Sequence, residues 1–430
     1  MNILAITIIL FLILLLCGIP VALAMSFPAI VYFVAKGIPL STVIYQVYNQ
    51  LNSFSLISVP MFMLMGSLVN QLGYTDTVFY LLKKVMKGKR GYSSRVNVLI
   101  SLIFSGISGA AIADIGGLGQ LEVKAMEDEG SPRGYAAALT IATACVGPVF
   151  PPSIPLVLYA MMAEVSSVRC LMAGVLPGLL MTIALWFFVE LVDKHYLGEP
   201  PAHAKKIYSE EKSMKRAIME ALPVLVAAPT IVICMMIGVF SPGEIGSLTV
   251  VYFLIIGLIQ HKLTKDILYV CVRDTAVMCA GIFLTTAAGG IFSQVMVLEN
   301  LPGMIIELLF RITSSKVVVL LLINAVLLIL GCFMNSTGAL VLSVPIILPI
   351  TAALGINPVQ VGIFVTLNLM IGLITPPFGL SVYTVARIVD VPPERVFKDA
   401  IPFYIPLIVA LLIVTFVPQI SLWLPEFLFG

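Results

Sequence analysis

The chain has 430 residues, 60% of them hydrophobic, and it carries only 24 basic and 22 acidic side chains. Soluble domains are typically about 45–50% apolar and about 25% charged, so a mean hydropathy of +1.10 excludes a water-exposed globule. The net charge of +2, with basic residues in short clusters, also argues against a nucleic-acid surface. The composition therefore predicts an all-α polytopic membrane protein.

Residues that commonly carry catalytic chemistry are sparse. The seven cysteines include no CxxC pair and lie mostly in apolar runs, where cysteine behaves as a small hydrophobe. His195, His203 and His261 lie far apart, so a histidine metal or catalytic cluster has little support. A GxxxxGK[ST] motif is also absent from the sequence. We therefore expect neither an enzyme nor a subunit that hydrolyses ATP itself.

The N-terminal apolar segment has some features of a signal peptide. Ile3–Cys17 is apolar, and the small residues around Ala22-Leu23-Ala24 resemble a cleavage site. However, no basic residue precedes the run, and apolar sequence continues to Ala35. We therefore predict a retained membrane segment with a break in it.

Uncharged runs indicate where the chain crosses the membrane, because a crossing helix needs about 20 apolar residues. The longest run, residues 317–386, has no Asp, Glu, Lys or Arg and predicts about three spans or re-entrant pieces. Over the whole chain we expect roughly ten to twelve membrane segments plus re-entrant hairpins.

Two polar segments interrupt the apolar sequence. Residues 83–95 contain basic residues and no acid, a pattern typical of cytoplasmic loops. The amphipathic stretch Val78–Met86 beside them is expected to lie along the interface. The second segment, Asp193–Glu220, mixes both signs of charge near the middle of the chain. We interpret it as the linker between two halves.

An internal repeat supports this division. A shift of 225 residues superposes five glycine and proline positions without a gap: Gly106 on Gly331, Gly147 on Gly372, Pro151 on Pro376, Pro152 on Pro377 and Pro177 on Pro402. The sequence reads GPVFPPS from Gly147 and GLITPPF from Gly372. We therefore predict a duplication.

The repeated GxxxPP sequences should interrupt a helix and free backbone carbonyls at membrane depth. Matching interruptions in two halves are typical of ligand sites in secondary transporters, where carbonyls bind cations and half-helix N-termini face anions. An ordinary kinked helix is the alternative for either break. Each break follows a segment rich in small residues, FSGISGAAIAD from Phe104 and GCFMNSTG from Gly331.

The first of these segments contains oxygen-bearing side chains. Ser105 and Ser108 offer neutral oxygens that suit a hard monovalent cation, although helix packing would explain them too. Asp114 is an acid at the end of an apolar run, which makes it a functional candidate. A simple ion pair with Arg133 is the alternative for Asp114.

Together with the SPGE sequence at Ser241, the NLMIGLITPPFGL segment and the closing PQISLWLP, these motifs resemble the dicarboxylate-type large membrane subunit (M) of tripartite ATP-independent periplasmic (TRAP) transporters. The resemblance extends over essentially the whole chain. It implies sodium-driven secondary transport of organic acids in the bacterial inner membrane, by an elevator built from two inverted repeats with re-entrant hairpins and broken helices. It also implies two partners, a small four-helix membrane subunit and a soluble periplasmic substrate-binding protein.

One departure from the family pattern is visible. Many relatives have an acidic residue followed by proline after the second-half glycine, whereas this chain reads Met334-Asn335-Ser336-Thr337. A charged role at this position is therefore in doubt, since Asn335 offers only neutral hydrogen bonds.

The sequence divides into six predicted parts. These are first-half scaffold helices (1–95), a first transport unit with hairpin and broken helix (96–170), a scaffold helix with the polar linker (171–220), second-half scaffold helices with a hairpin region (221–316), a second transport unit (317–390) and a C-terminal helix (391–430).

We predict one sodium site at each break, bound largely by main-chain carbonyls. The first comprises Ser105, Ser108, Gly147, Phe150 and Pro152, and the second comprises Gly331, Met334, Gly372, Thr375 and Pro377. Since Thr375 supplies a hydroxyl where the first half has Phe150, the two sites should not be equal.

The substrate is expected between the breaks, near Ser153, Asn335 and Ser381. It would be sialic acid, a C4-dicarboxylate or a related organic acid. Sodium is the only cofactor expected, as a co-transported ion. An anion channel or pore subunit is the main alternative function. A polytopic membrane enzyme is less favoured, because the longest uncharged run offers no acid or base.

Overall fold

The computed structural model describes residues 3–86, 91–196, 198, 213–313 and 315–430, without the side chain of His195. All regular structure in these residues is helical. The first half contains a short 3-10 turn (Phe54–Ile57) and α1 (Ile3–Leu16), α2 (Val21–Ala35), α3 (Ser41–Leu51), α4 (Ser58–Gln71), α5 (Tyr74–Met86), α6 (Tyr92–Ser108), α7 (Ala111–Asp128), α8 (Arg133–Ala144), α9 (Ile154–Met162), α10 (Ser167–Ala173) and α11 (Val175–Tyr196).

The second half begins after the linker, whose residues 199–212 lie outside the described ranges. Its helices are α12 (Met214–Ile237), α13 (Pro242–Ile259), α14 (Lys265–Leu298), α15 (Leu301–Ile312), α16 (Lys316–Phe333), α17 (Ser336–Ala353), α18 (Pro358–Gly372), α19 (Leu380–Val389), α20 (Pro393–Phe416) and α21 (Pro418–Phe429).

Within the described ranges, eight helical segments are long and apolar enough to cross a membrane. They are the 3-10 turn with α4, α10 with α11, and α12, α13, α14, α16, α17 and α20. Four shorter apolar helices, α1, α2, α18 and α19, accompany them. The long uncharged run therefore holds four helical pieces, one more than the sequence predicts, because α18 and α19 are the two parts of one interrupted helix.

Two boundaries refine the sequence predictions. The N-terminal apolar segment is broken between α1 and α2, where Gly18 has a positive φ of 77°. Asp193 is not part of the linker, because α11 continues to Tyr196 and buries this carboxylate. Ser94 and Tyr135 donate hydrogen bonds of 3.0 and 2.8 Å to Asp193 Oδ1. The acid therefore ties α6 and α8 to α11.

The helix boundaries recur at the spacing found in the sequence. Adding 225 to both ends of α7 gives both ends of α17, and the same shift carries the α6 end onto the α16 end. Each half thus has a hairpin, α6–α7 or α16–α17, followed by an interrupted helix, α8–α9 or α18–α19. Both interruptions contain a cis peptide bond, at Pro151-Pro152 and at Pro376-Pro377.

The two hairpin units are interleaved rather than separate. Within each unit, α7 packs on α8 and α16 packs on α18. Between the units, α7 packs on α19 and α17 packs on α9. Each hairpin therefore contacts both interrupted helices. The proline pair of the first break is buried, whereas Pro376 and Pro377 of the second break are exposed.

Candidate ion and substrate site

The first break is held by the turn of its own hairpin. Gly109, with a positive φ of 60°, joins α6 to α7 and packs directly on the carbonyl of Pro152. The amide of Ile154, the first residue of α9, donates to Gly109 O at 3.4 Å. A side chain on Gly109 would collide with this carbonyl and would also strain the turn. The small residues of the sequence motif thus allow the hairpin turn to contact the broken backbone.

Asp114 lies between the two elements that form the predicted first ion site. Ser108 Oγ donates a short hydrogen bond to Asp114 Oδ1. A Cβ placed on Gly147 would lie 2.6 Å from Asp114 Oδ2, so only glycine leaves room for the carboxylate there. Arg133 does not pair with Asp114, since its Nε contacts Glu127 Oε1 at 2.7 Å. The alternative of a simple Asp114–Arg133 ion pair is therefore wrong.

The other predicted residues of the first break are placed as follows. Ser105 is buried in α6 and donates to the Ser101 and Leu102 carbonyls at 2.5 and 3.0 Å. The Phe150 ring packs on Gly178 of α11, which leaves only the backbone of Phe150 for a cation. Ser153 caps α9, because its Oγ accepts from Leu156 N at 3.1 Å and donates to the Pro148 carbonyl. The role of these residues in ion binding stays a prediction.

The second break packs against its hairpin through two glycines. A Cβ on Gly331 would meet Gly372 Cα at 3.0 Å and Leu369 O at 3.1 Å. Met334, which ends α16, is buried with extended backbone angles, so the regular helix stops beside the break. Thr375 Oγ1 donates to Ile371 O at 2.7 Å. Gly331 and Gly372 are thus brought together, and the role of these residues in ion binding stays a prediction.

The three predicted substrate residues differ in exposure and in the hydrogen bonds that they make. Ser153 is fully buried, and its hydroxyl already makes two hydrogen bonds. Asn335 is exposed and caps α17 by accepting from Gly338 N at 2.9 Å. Ser381 is buried in α19, where its amide donates to Leu373 O at 3.0 Å. A joint role for these residues in substrate binding stays a prediction.

The two interrupted helices are in direct contact beside their breaks. The thiol of Cys145, just before the first break, donates to Met370 O at 3.4 Å, and these two residues are 225 positions apart. Tyr159 in α9 donates to Pro358 O at the start of α18 at 2.5 Å. Its ring also packs on Gly362, where a Cβ would lie only 2.5 Å away. The Cys145–Met370 contact joins equivalent positions of the two halves, whereas Tyr159 joins α9 to the non-equivalent helix α18.

A cavity of about 360 Å³ lies beside the hairpin turn of the first half. It lies between α4, α7 and α14, and its polar lining comes from Ser67, Asn70, Gln71, Thr75, Ser108, Asp114, Asp274, Thr275 and Thr384. Its volume suits a small organic molecule. Asp114 Oδ2 and Thr275 Oγ1 are buried there without a hydrogen-bond partner. The sequence prediction missed the α4 and α14 residues, because no local pattern indicates that these helices line the same cavity as Asp114.

Two buried polar networks were also missed from the sequence. In the first half, Asn97 Nδ2 donates to Glu122 Oε2 at 3.0 Å and to Thr140 Oγ1 at 2.8 Å. In the second half, Asn368 Nδ2 donates to Asn324 Oδ1 at 2.9 Å. The first network contains an acid and the second contains only neutral groups. Each network joins residues on different helices, so no local pattern reveals it.

Outside the spans, one electrostatic contact fixes the turn between α14 and α15. Lys36 Nζ lies 2.8 Å from Glu299 Oε1, and the Tyr32 hydroxyl donates to the same oxygen at 2.6 Å. These hydrogen bonds hold the pKa of Glu299 below its usual value of 4.5. The contact ties the end of α2 to the end of α14.

Comparison with known proteins identifies the family to which the chain belongs. Residues 8–420 match the model of the tripartite ATP-independent periplasmic transporter, DctM component. The chain is 35% identical to the sialic acid TRAP transporter large permease protein SiaM of Vibrio cholerae over 422 residues, which covers 97% of each chain. It is 32% identical to the sialic acid TRAP transporter permease protein SiaT of Haemophilus influenzae, covering 98% of this chain and 68% of SiaT.

The similarity of this chain to a solved structure of low sequence identity concerns the fold alone. The YdaH transporter of Alcanivorax borkumensis superposes with a TM-score of 0.59 at 16% identity, covering 87% of this chain and 88% of YdaH. The helical membrane fold is thus shared with a transporter of distant sequence. From the family match and the full-length similarity to SiaM, the chain belongs to the DctM family: it is a multi-pass TRAP transporter permease of the bacterial inner membrane, and not an enzyme.

Proposed function

We infer that this permease couples the import of a carboxylate-bearing small molecule to sodium entry, with the two hairpin units moving as one body. The observation that carries the proposal is the direct contact between Cys145 and Met370, the equivalent residues that immediately precede the two breaks. A site shared by two interrupted helices stays intact during movement only if both travel together. The 225-residue recurrence of hairpins and breaks supports a pair of inverted repeats.

Small residues lie along the boundary between the proposed moving body and its scaffold. A Cβ on Gly66 of α4 would meet Ser108 Cα at 3.3 Å, and one on Gly106 would meet the Ala228 Cβ of α12 at 3.3 Å. Gly289 of α14 packs directly on Val341 of α17. Small residues at these positions let the helices of the two parts approach closely. This boundary supports an elevator movement of α6–α9 and α16–α19 against α4, α12 and α14.

The chemistry of the breaks supports the sodium gradient as the energy source. Each sodium ion that enters down a potential of 100 mV supplies about 2.3 kcal/mol. Carbonyl and hydroxyl ligands around Gly147 and Gly372 would hold such an ion weakly enough to release it on each cycle. Two ions per cycle would therefore concentrate an anion substantially.

The relatives guide the choice of substrate and partners. Both similar permeases named above are sialic acid transporters, so sialic acid is the first substrate to test and a C4-dicarboxylate the second. This chain covers only 68% of SiaT, and the remainder is long enough for a small membrane subunit. We therefore expect a separate small four-helix subunit and a soluble periplasmic binding protein as partners.

Uptake into proteoliposomes tests the proposal. The chain is reconstituted with its small subunit, the binding protein is added outside with labelled sialic acid, and sodium is compared with potassium at equal ionic strength. We expect uptake that requires both sodium and the binding protein. Full uptake in potassium, or without the binding protein, would contradict the proposal. Counterflow then separates a carrier from an anion channel, because only a carrier exchanges labelled substrate faster when unlabelled substrate is present inside.

A further inference from the structure

We propose that a basic cavity where α12 begins and α13 ends binds the phosphate group of an anionic phospholipid. The cavity has a volume of about 580 Å³ and lies between α5, the first turns of α12 and the turn that follows α13. Among its described lining residues, Lys215, Arg216 and Lys262 are positive and Glu220 is negative, which leaves a net charge of +2. The lining therefore attracts an anion.

The three cations of the cavity are held in different ways. Arg216 Nε lies 3.0 Å from Glu220 Oε1. Lys262 Nζ lies over the Tyr74 ring, 4.5 Å from its centroid, in the geometry of a cation–π contact. Lys215 is exposed and forms no ion pair with any described residue. Two of the cations are thus fixed by neighbouring side chains, and the charge of the third is available to a ligand.

The cavity lies at the level of phospholipid head groups. Both α12 and α13 are long and apolar enough to cross a membrane, and the cavity is at the end that they share. The neighbouring α5 is the amphipathic segment predicted to lie along the interface, and its last turn carries Lys83 and Lys84 of the basic segment 83–95. The positive-inside rule assigns such a segment to the cytoplasmic side. Anionic lipids of the cytoplasmic leaflet attract basic residues placed there.

An apolar stripe on α12 leads away from the cavity. Its members follow one another at intervals of four residues and are between 40 and 49% exposed: Met214, Ile218, Leu222 and Val226. Residues four apart are neighbours on a helix surface, and this stripe is about 18 Å long. One leaflet contains roughly 15 Å of hydrocarbon, so the stripe can contact an acyl chain over its whole length. A basic end joined to an apolar side favours a phospholipid over a free phosphate ion.

The test is thermal unfolding of the purified chain in detergent, with phosphatidylglycerol or phosphatidylcholine added at equal mole fractions. A ligand that binds the folded state raises its Tm. We expect phosphatidylglycerol to raise the Tm until the site is saturated, and phosphatidylcholine to raise it less. Inorganic phosphate and glycerol 3-phosphate, added at equal ionic strength, should not reproduce this shift, because they lack acyl chains.

Lys215→Gln removes one positive charge without breaking an ion pair among the described residues. The half-saturating mole fraction of phosphatidylglycerol should rise about fivefold, and Lys215→Glu should raise it further. Lys265→Gln is the matched control, because Lys265 is an exposed lysine in the first turn of α14 and lies outside the cavity lining. Its half-saturating mole fraction should stay within about twofold of the wild-type value.

Four results would overturn the proposal. An equal response to the two lipids would show that the lipid charge is not recognised. An equal loss in Lys215→Gln and Lys265→Gln would assign the attraction to the basic surface as a whole. A shift with inorganic phosphate equal to that with phosphatidylglycerol would assign the cavity to a free anion. If the dependence on phosphatidylglycerol disappears when the small membrane subunit is bound, that subunit covers the stripe in place of a lipid.

Discussion

The contact between Gly331 and Gly372 allows a quantitative test of how the second break is built. Replacing Gly372 with alanine would place a Cβ 2.6 Å from Gly331 Cα, 2.7 Å from Gly331 C and 3.0 Å from Leu328 O. All three are backbone atoms, so no side-chain rotation relieves the contact. Ordinary van der Waals contact begins at 3.4 Å. The α16–α18 spacing must therefore increase locally by about 0.8 Å.

The expected cost has two opposing parts. Overpacking a tight contact typically costs about 1–3 kcal/mol, and the shortness of these contacts places Gly372→Ala near the upper end. Replacing glycine by alanine in a helix also stabilises the folded state by about 1 kcal/mol, because alanine has the higher helix propensity. The net loss should be about 2 kcal/mol. A displacement of about 0.8 Å also exceeds the roughly 0.5 Å within which binding groups must be held, so sodium affinity should fall as well.

Gly281→Ala is the control for this experiment. Gly281 lies inside α14, and a Cβ there meets nothing within 4 Å. Thermal unfolding in detergent should show a lower Tm for Gly372→Ala and an equal or higher Tm for Gly281→Ala. Sodium titration of each variant should show weaker binding only for Gly372→Ala. If Gly372→Ala unfolds at the wild-type temperature with unchanged sodium dependence, α16 and α18 do not meet as described.

Three further predictions concern separate parts of the molecule. Ser108→Ala and Thr375→Ala should each raise the sodium concentration for half-maximal transport at normal expression, and unchanged values in both would refute the placement of the ion sites. Asn368→Ala should lower the free energy of unfolding by about 1–3 kcal/mol, because its buried amide partner loses a donor; the exposed Asn52→Ala is the control, and equal stability would contradict the network. Since the pKa of Glu299 is lowered by its hydrogen-bond donors, its stabilising contribution should be complete above about pH 4.5 and be lost as the pH falls through the lower folded-state pKa. Glu299→Gln should remove that part of the pH dependence of Tm, and an unaltered acid profile would argue against the contact.

The breaks could be predicted from the sequence because glycine and proline act on the local backbone. A GxxxPP sequence in an apolar run interrupts a helix wherever it occurs, and its recurrence after 225 residues gave the pairing of Gly147 with Gly372. The segments of small residues around Gly109 and Gly331 were expected beside the breaks, whereas the hairpins were implied by the family resemblance. The structure also places Gly331 against Gly372. The repeat alone does not predict this contact, because the shift pairs Gly331 with Gly106 and Gly372 with Gly147.

Contacts between distant helices could not be predicted in this way. The packing of α7 on α19 and of α17 on α9 depends on tertiary arrangement, which a single sequence does not encode in any periodic pattern. Asn324 and Asn368 are isolated polar residues in apolar helices until the fold brings them together. Asp193 looked like a linker residue because charged sequence follows it, yet Ser94 and Tyr135 hold it inside α11. In these cases the tertiary contacts of a residue, rather than its residue type, decide whether it is buried.

Coupled fluxes test the central claim most directly, because they count the ions that move with the substrate. Proteoliposomes that contain the chain and its small subunit receive the binding protein, labelled sialic acid and labelled sodium, and both uptakes are measured over the same initial interval. With one site at each break, we predict roughly two or more sodium ions for every substrate molecule, with the ratio unchanged by substrate concentration. Sodium entry that does not increase when substrate is added, while substrate is still taken up, would contradict sodium-coupled transport by this permease.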